Sequence, residues 1–206
     1  MGFISQYILP KTVDFDTALQ KQALLVTKLV SHINTAYELN DVTALSHITN
    51  DTEHARQLKS QNMQELLDIL ILPYDKESLY RMITQLDWIA LSVKHFRLEI
   101  EVYDLHSLED YLPIATQLLN MSNLLEEGIA LLPQQNLRLI SDNIDQILDL
   151  YDEVVSNCAQ TSAQLLKLDD YIQIIRHKDM ILQLKEIAKR IHIAANTLED
   201  MAIKIV

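Results

Sequence analysis

Apolar residues recur at three- and four-residue intervals along almost the whole chain, and six such stripes follow one another. Phe15, Ala18, Leu25, Leu29, Ile33 and Ala36 share one face and predict a first helix over about residues 14–39, with Asn40-Asp41 as a turn and cap. A weaker stripe follows in Leu45, Ile48, Ala55, Leu58, Leu66 and Ile69. The third is strong: Leu79, Met82, Ile83, Leu86, Ile89, Val93, Phe96 and Ile100. The fourth runs from Ala115 through Leu118, Met121, Leu125 and Ile129 to Leu132. Ser107 and Asp110 are its candidate caps, Pro113 is tolerable only in its opening turn, and Pro133 stops it. A fifth stripe carries Leu137, Ile140, Ile144, Ile147, Tyr151, Val154, Cys158 and Leu165. Asp169 or Asp170 can cap the sixth, which runs from Ile174 to Ala202.

The clearest interruption lies between the second and third stripes. Pro73 has no amide hydrogen to donate and disfavours a helical Leu72, so the second helix stops there. Asp75 can accept from the free amides of the next helix, and Glu77 suits the positive end of its dipole. One helix ends and another starts within a few residues, which folds the two back on each other. Several helices approach about thirty residues, roughly 45 Å at 1.5 Å per residue. The expected architecture is all-α, an elongated six-helix bundle with sequential neighbours antiparallel. The helix count divides it into two three-helix halves, 12–105 and 107–206, of a single domain over residues 1–206. No close internal repeat and no Ser/Gly/Pro-rich linker marks the division.

Composition narrows this picture. The 206 residues include only two glycines, Gly2 and Gly128, and four prolines, too few turn formers for a hairpin-rich β fold. A net charge of −12 argues against non-specific nucleic-acid binding, which needs clustered Lys and Arg. Cys158 is the sole cysteine and rules out an intrachain disulfide. The start lacks a charged region ahead of a long apolar core, Gln6 stands where myristoylation wants Ser or Thr, and no apolar run is long enough to span a bilayer. The expectation is a cytoplasmic protein that meets membranes only peripherally, through a partner. Long apolar stripes leave homo-oligomerisation open.

Catalytic patterns are missing: there is no Gly-rich phosphate loop, His-Glu-x-x-His or nucleophile elbow, so no enzyme and no catalytic residue is expected. Cys158, on the fifth apolar stripe, reads as a small buried hydrophobe, and nothing in the sequence pairs it with His177 or His192. His47, Asp51 and His54 fall at i, i+4 and i+7, a spacing that could hold a metal from one helix face. The plainer reading is a solvated polar stripe. Asp142, Asp145, Asp149 and Asp152 form an acidic ladder on the fifth helix, read as a solubilising face rather than a cation or partner site. Tyr74 and Trp88 flank the Pro73 hairpin and suit either an anchor or a partner surface.

The segment Leu72-Pro73-Tyr74-Asp75-Lys76-Glu77-Ser78-Leu79, followed by Leu86-Asp87-Trp88, resembles the Thr-Pro-Phe-Asp-Arg-Glu-Asp-Ile and Leu-Asp-Asp elements of the PhoU-like family of phosphate-transport regulators. Ala195-Asn196-Thr197-Leu198-Glu199 and Lys204 are similar to that family's closing Ala-Asn-x-Leu-Glu and terminal Lys. The resemblance covers nearly the whole chain and marks Pro73, Asp75, Glu77, Asp87 and Asn196. It implies a PhoU-like bundle and a non-enzymatic regulator or accessory protein of inorganic-phosphate transport, acting by protein contacts with a Pit-type transporter. Relatives can hold metals on Glu/Asp-x-x-x-Asp faces. Here the matching positions hold Arg56, Leu91, Leu148 with Asp152, and Lys185, Lys189 and Ile193. A cationic side chain about 4 Å from a divalent ion costs roughly 8 kcal/mol at an effective dielectric near 20. No metal and no cofactor are therefore expected. A metal-binding relative with ligands moved to His47, Asp51 and His54, and a helical adaptor unrelated to phosphate, are the alternatives.

Overall fold

The structure, a computed structural model, describes residues 13–69, 72–103 and 111–205. Six α-helices carry the described chain: α1 (Phe15–Leu39), α2 (Ile48–Asp68), α3 (Lys76–Tyr103), α4 (Leu112–Leu131), α5 (Leu137–Leu165) and α6 (Tyr171–Lys204). Among the described residues there is no strand. The fold is an all-α bundle, and α6, with 34 residues, extends about 51 Å.

Helix ends obey local chemistry. Asp14 accepts from the Thr17 amide at 3.0 Å to start α1. Asn40 ends it in the left-handed region, φ 48°, where Asn is among the few residues that sit without much strain. Asp170, rather than Asp169, caps α6 through the Ile172 and Gln173 amides at 3.0 and 3.1 Å. Asn136 caps α5 through the Leu139 amide at 3.3 Å. The second stripe departs from expectation at its start: Val42–His47 is a 3-10 turn capped by Asp41, and α2 begins only at Ile48. Leu45 is still buried, because the tighter turn brings it under the bundle. Ser107 and Asp110 lie outside the described residues; Tyr111 holds the N-cap position of α4, and Pro113 falls in its opening turn. A short 3-10 turn, Leu132–Gln134, carries Pro133 out of α4.

Four helices, α1, α3, α6 and α4, form the centre, with α2 laid against α1 and α3 and α5 against α4 and α6. The closest long packing joins α3 to α6 and α1 to α4. Consecutive α3 and α4 are not principal partners; they stand on a diagonal, so antiparallel pairing of sequential neighbours fails at that one step. One apolar cluster draws on all six helices. Inside it, Gln22 pins three helices together: its amide donates to the Ile83 carbonyl at 2.9 Å and accepts from Asn62 at 3.0 Å. A fully buried amide with both ends engaged fixes helix register more sharply than apolar contact does. Gly128 lets α4 and α6 approach closely, since a Cβ there would lie 2.6 Å from the Leu198 methyl.

Candidate functional site

The Pro73 hairpin positions the site. Asp75 accepts from the Ser78 amide at 2.9 Å, so α3 starts with a side-chain cap, and Glu77 stands in its first turn. Tyr74 turns inward, is 7% exposed, and donates its hydroxyl to Asp16 at the start of α1. Burial first, then this carboxylate, pushes the Tyr74 phenol well above its usual range. Of the two aromatic residues flanking the hairpin, Tyr74 is thus an anchor. Trp88 remains 42% exposed, with the Arg190 guanidinium 4.8 Å from its ring centroid.

The two segments that resemble a known family, far apart in sequence, meet here. The Ser78 hydroxyl lies 2.9 Å from both Asp75 Oδ2 and Asp200 Oδ2. It has one proton and satisfies one carboxylate at a time. Lys204 Nζ supplies the remaining charge, 2.9 Å from Asp200, 3.2 Å from Ser78 Oγ and 3.7 Å from Asp75, while Arg81 stands 3.6 Å from Asp200. The Ser78 amide and hydroxyl hold the Asp75 carboxyl below its usual range; the Lys204 hydrogen bond does the same for Asp200. Lys204 is held correspondingly upward by Asp200. Of this network, Ser78 and Arg81 sit in or beside the recognised motif, but Asp200 was not singled out. Its four-residue spacing to Lys204 was the available signal.

The other marked positions do not join the network. Asp87 lies farther along α3 with Lys59 of α2 at 3.5 Å. Asn196 is exposed on α6, and Pro73 is exposed at the hairpin. At the positions that the resemblance marks as acidic, Leu91, Leu148, Lys185 and Ile193 are half-buried and Lys189, Asp152 and Arg56 exposed. A carboxylate already paired with Lys59, and lysines at two acidic positions, do not suit a divalent cluster.

His47, Asp51 and His54 are not gathered around a common point. Asp51 instead meets α1, with Lys28 Nζ and His32 Nε2 each 2.9 Å from one of its oxygens, and His47 stacks on His32 at 5.6 Å. Burial acts to raise the Asp51 carboxyl, but these two hydrogen bonds outweigh it and hold it low. His54 points to solvent. Among the described residues, no group of three His, Cys, Asp or Glu side chains is placed to hold a metal. Lys28 and His32 escaped sequence reasoning because an interhelical contact leaves no spacing signal. The four aspartates of the α5 ladder are exposed.

Cys158 is buried, and burial pushes its thiol up to about 11, far from a thiolate nucleophile at neutral pH. His192 stacks on Tyr151 at 4.6 Å, and His177 meets the Tyr111 hydroxyl. No helix among the described residues is long and apolar enough to cross a membrane.

Element order and packing define the class: an all-α bundle of six long helices. That class is the PhoU-like fold. A PhoU-like protein from Shewanella oneidensis MR-1 superposes with a TM-score of 0.77 at 15% identity, covering 90% of this chain and 98% of its own. A second structure from the same organism, described as a proposed PhoU-like phosphate regulatory protein, gives 0.79 at 16% identity, covering 90% and 97%. No protein-family model and no curated protein matches the sequence. At these identities the likeness is one of fold.

Proposed function

We propose that this protein is a non-enzymatic, cytoplasmic regulator or accessory protein of inorganic-phosphate transport that acts through contacts with a Pit-type transporter. The supporting observation is the near-complete superposition on PhoU-like structures, one of them described as phosphate regulatory. The resemblant hairpin and closing segment support it further by meeting in one network. Fold alone does not carry function, so the chemistry of this chain sets the limits. Among the described residues it offers a buried thiol and paired carboxylates, and this supports regulation by contact. The test is co-purification with a Pit-type transporter of the same genome, at high and low phosphate, using the native chain and a Ser78→Ala variant. The expected result is phosphate-dependent association. No association under either condition overturns the proposal.

A further inference from the structure

Helix α6 buries Ile181, Leu184, Ala188 and Ile191 and leaves an outer row of Ile175, Lys178, Leu182, Lys185 and Lys189. These follow spacings of three and four along about 21 Å of helix. Ile175 and Leu182 are 59 and 52% exposed. Lys178 and Lys189 are exposed, and Lys185 is half-buried. Aliphatic and cationic positions thus share one face, the pattern of a helix that packs on another helix of opposite charge.

Positive charge gathers here against the trend of the chain. Residues 176–192 hold five of the 17 Lys and Arg and only two acids, in a chain of net charge −12. Both acids are engaged: Asp179 accepts from the Tyr103 hydroxyl at 2.7 Å, and Glu186 pairs with Arg190 at 2.6 Å. Arg190 in turn lies over the Trp88 ring. Among the described residues, Lys178, Lys185 and Lys189 enter no ion pair, with the α5 aspartates or any other acid. Lys185 stands near enough to Cys158 of α5 to act on its thiol through space. A half-buried ammonium with no carboxylate in contact has given up part of its hydration without a paired charge in return.

We infer that this face of α6 docks an acidic amphipathic helix of another protein. Aliphatic side chains of that helix cover Ile175 and Leu182, and carboxylates four residues apart meet Lys185 and Lys189. The lysines favour this occupant over two others. A second copy, arranged two-fold about Leu182, would set Lys178 beside the other copy's Lys185, like charge against like. An anionic bilayer repels a chain of net charge −12 as a whole, and the lysines stand within the apolar row rather than on a separate polar face. A single docked helix feels mainly the local cations, because salt screens exposed charges beyond about 8 Å. The face lies apart from the Lys204 network and does not depend on a role in phosphate transport.

Fluorescence anisotropy of the full chain with a labelled synthetic peptide tests this. The peptide is a helix of three heptads with Leu at one seam position and Glu at the other. The native chain is expected to bind it, less tightly as salt rises. Lys185→Glu with Lys189→Glu should weaken binding at least about tenfold with unchanged helical circular dichroism, since neither side chain is in the core. Lys185→Gln with Lys189→Gln adds no acid and should weaken it less, in the same direction. Lys21→Glu with Arg138→Glu makes the same change in net charge at exposed positions elsewhere and should leave binding unaltered. No binding by the native chain overturns the inference, as does native affinity in both Lys185 and Lys189 double variants. So does equal binding of a peptide with Lys in place of Glu, or an equal loss in the Lys21 and Arg138 variant. Lysine-dependent adsorption to phosphatidylserine vesicles in place of peptide binding overturns it too. Co-purification with a transporter can fail while the peptide binds, and the reverse, so the two readings fall separately.

Discussion

The α3–α6 seam has two ends of similar composition and opposite character. At the hairpin end Asp75 and Asp200 share Ser78, Lys204 and Arg81, and both carboxyls are held below their usual range. At the far end, Gln183 donates to one oxygen of Glu99 and Tyr103 donates to Asp179 at 2.7 Å. The second oxygen of Glu99 is buried with no partner. Burial raises the Glu99 carboxyl; the Gln183 hydrogen bond acts against it, Asp179 adds to the rise, and His95 lowers it through space without reversing it. What separates the ends is the balance between hydrogen bonding and burial. Where hydrogen bonds from Ser78 and Lys204 outweigh burial, ionisation is favoured; at Glu99 burial outweighs the Gln183 bond, and it is not.

The largest expected effect tests whether the hairpin end is truly anchored. Tyr74→Ala removes a buried ring and its bond to Asp16, and should cost about 3 kcal/mol in urea unfolding. A loss below about 1 kcal/mol, the size of one hydrogen bond, would show that the ring does not hold the hairpin. Ser78→Ala is subtler: it deletes the hydroxyl between two carboxylates and should cost about 1 kcal/mol at pH 7. An unchanged midpoint would mean Lys204 alone suffices.

The smallest effect has the opposite sign. Glu99→Gln should stabilise the protein by about 0.5 kcal/mol at pH 7, a modest figure because the group is partly solvated. The pH dependence follows from the directions of the shifts. Asp75 and Asp200, held low, contribute stability that is present above the ordinary Asp value of about 3.9 and lost as pH falls through their folded values. Glu99, held high, contributes no penalty below the ordinary Glu value of about 4.3; the penalty sets in as pH rises through its raised value. The gain from Glu99→Gln should therefore vanish below about pH 4, in urea titrations repeated there. A gain that persists in acid would assign it to packing and dissolve the contrast between the ends.

The helices were largely legible. The apolar stripes from Phe15 to Ala36 and from Leu79 to Ile100 lie in the core as their spacing implied, and Pro73 with Asp75 marks the turn between α2 and α3. The start of α2 was not legible, because the 3-10 turn from Val42 to His47 buries Leu45 just as a helix would. In the candidate site, Asp75, Ser78 and Lys204 belong to segments that stand out in the sequence, but nothing along the chain says that they touch. His47, Asp51 and His54 show the converse: a suggestive spacing dissolves once Lys28 and His32 engage Asp51 from α1.

By itself the sequence determined six amphipathic helices and the capped hairpin, because periodicity, proline and capping aspartates act within a few residues of themselves. Only the tertiary structure decided that α3 lies along α6, that Lys204 closes on Asp75 and Asp200, and that the outer row of α6 stays uncovered. Those outcomes depend on which apolar faces pack together, and the pairing of faces is a property of the whole bundle rather than of any one helix.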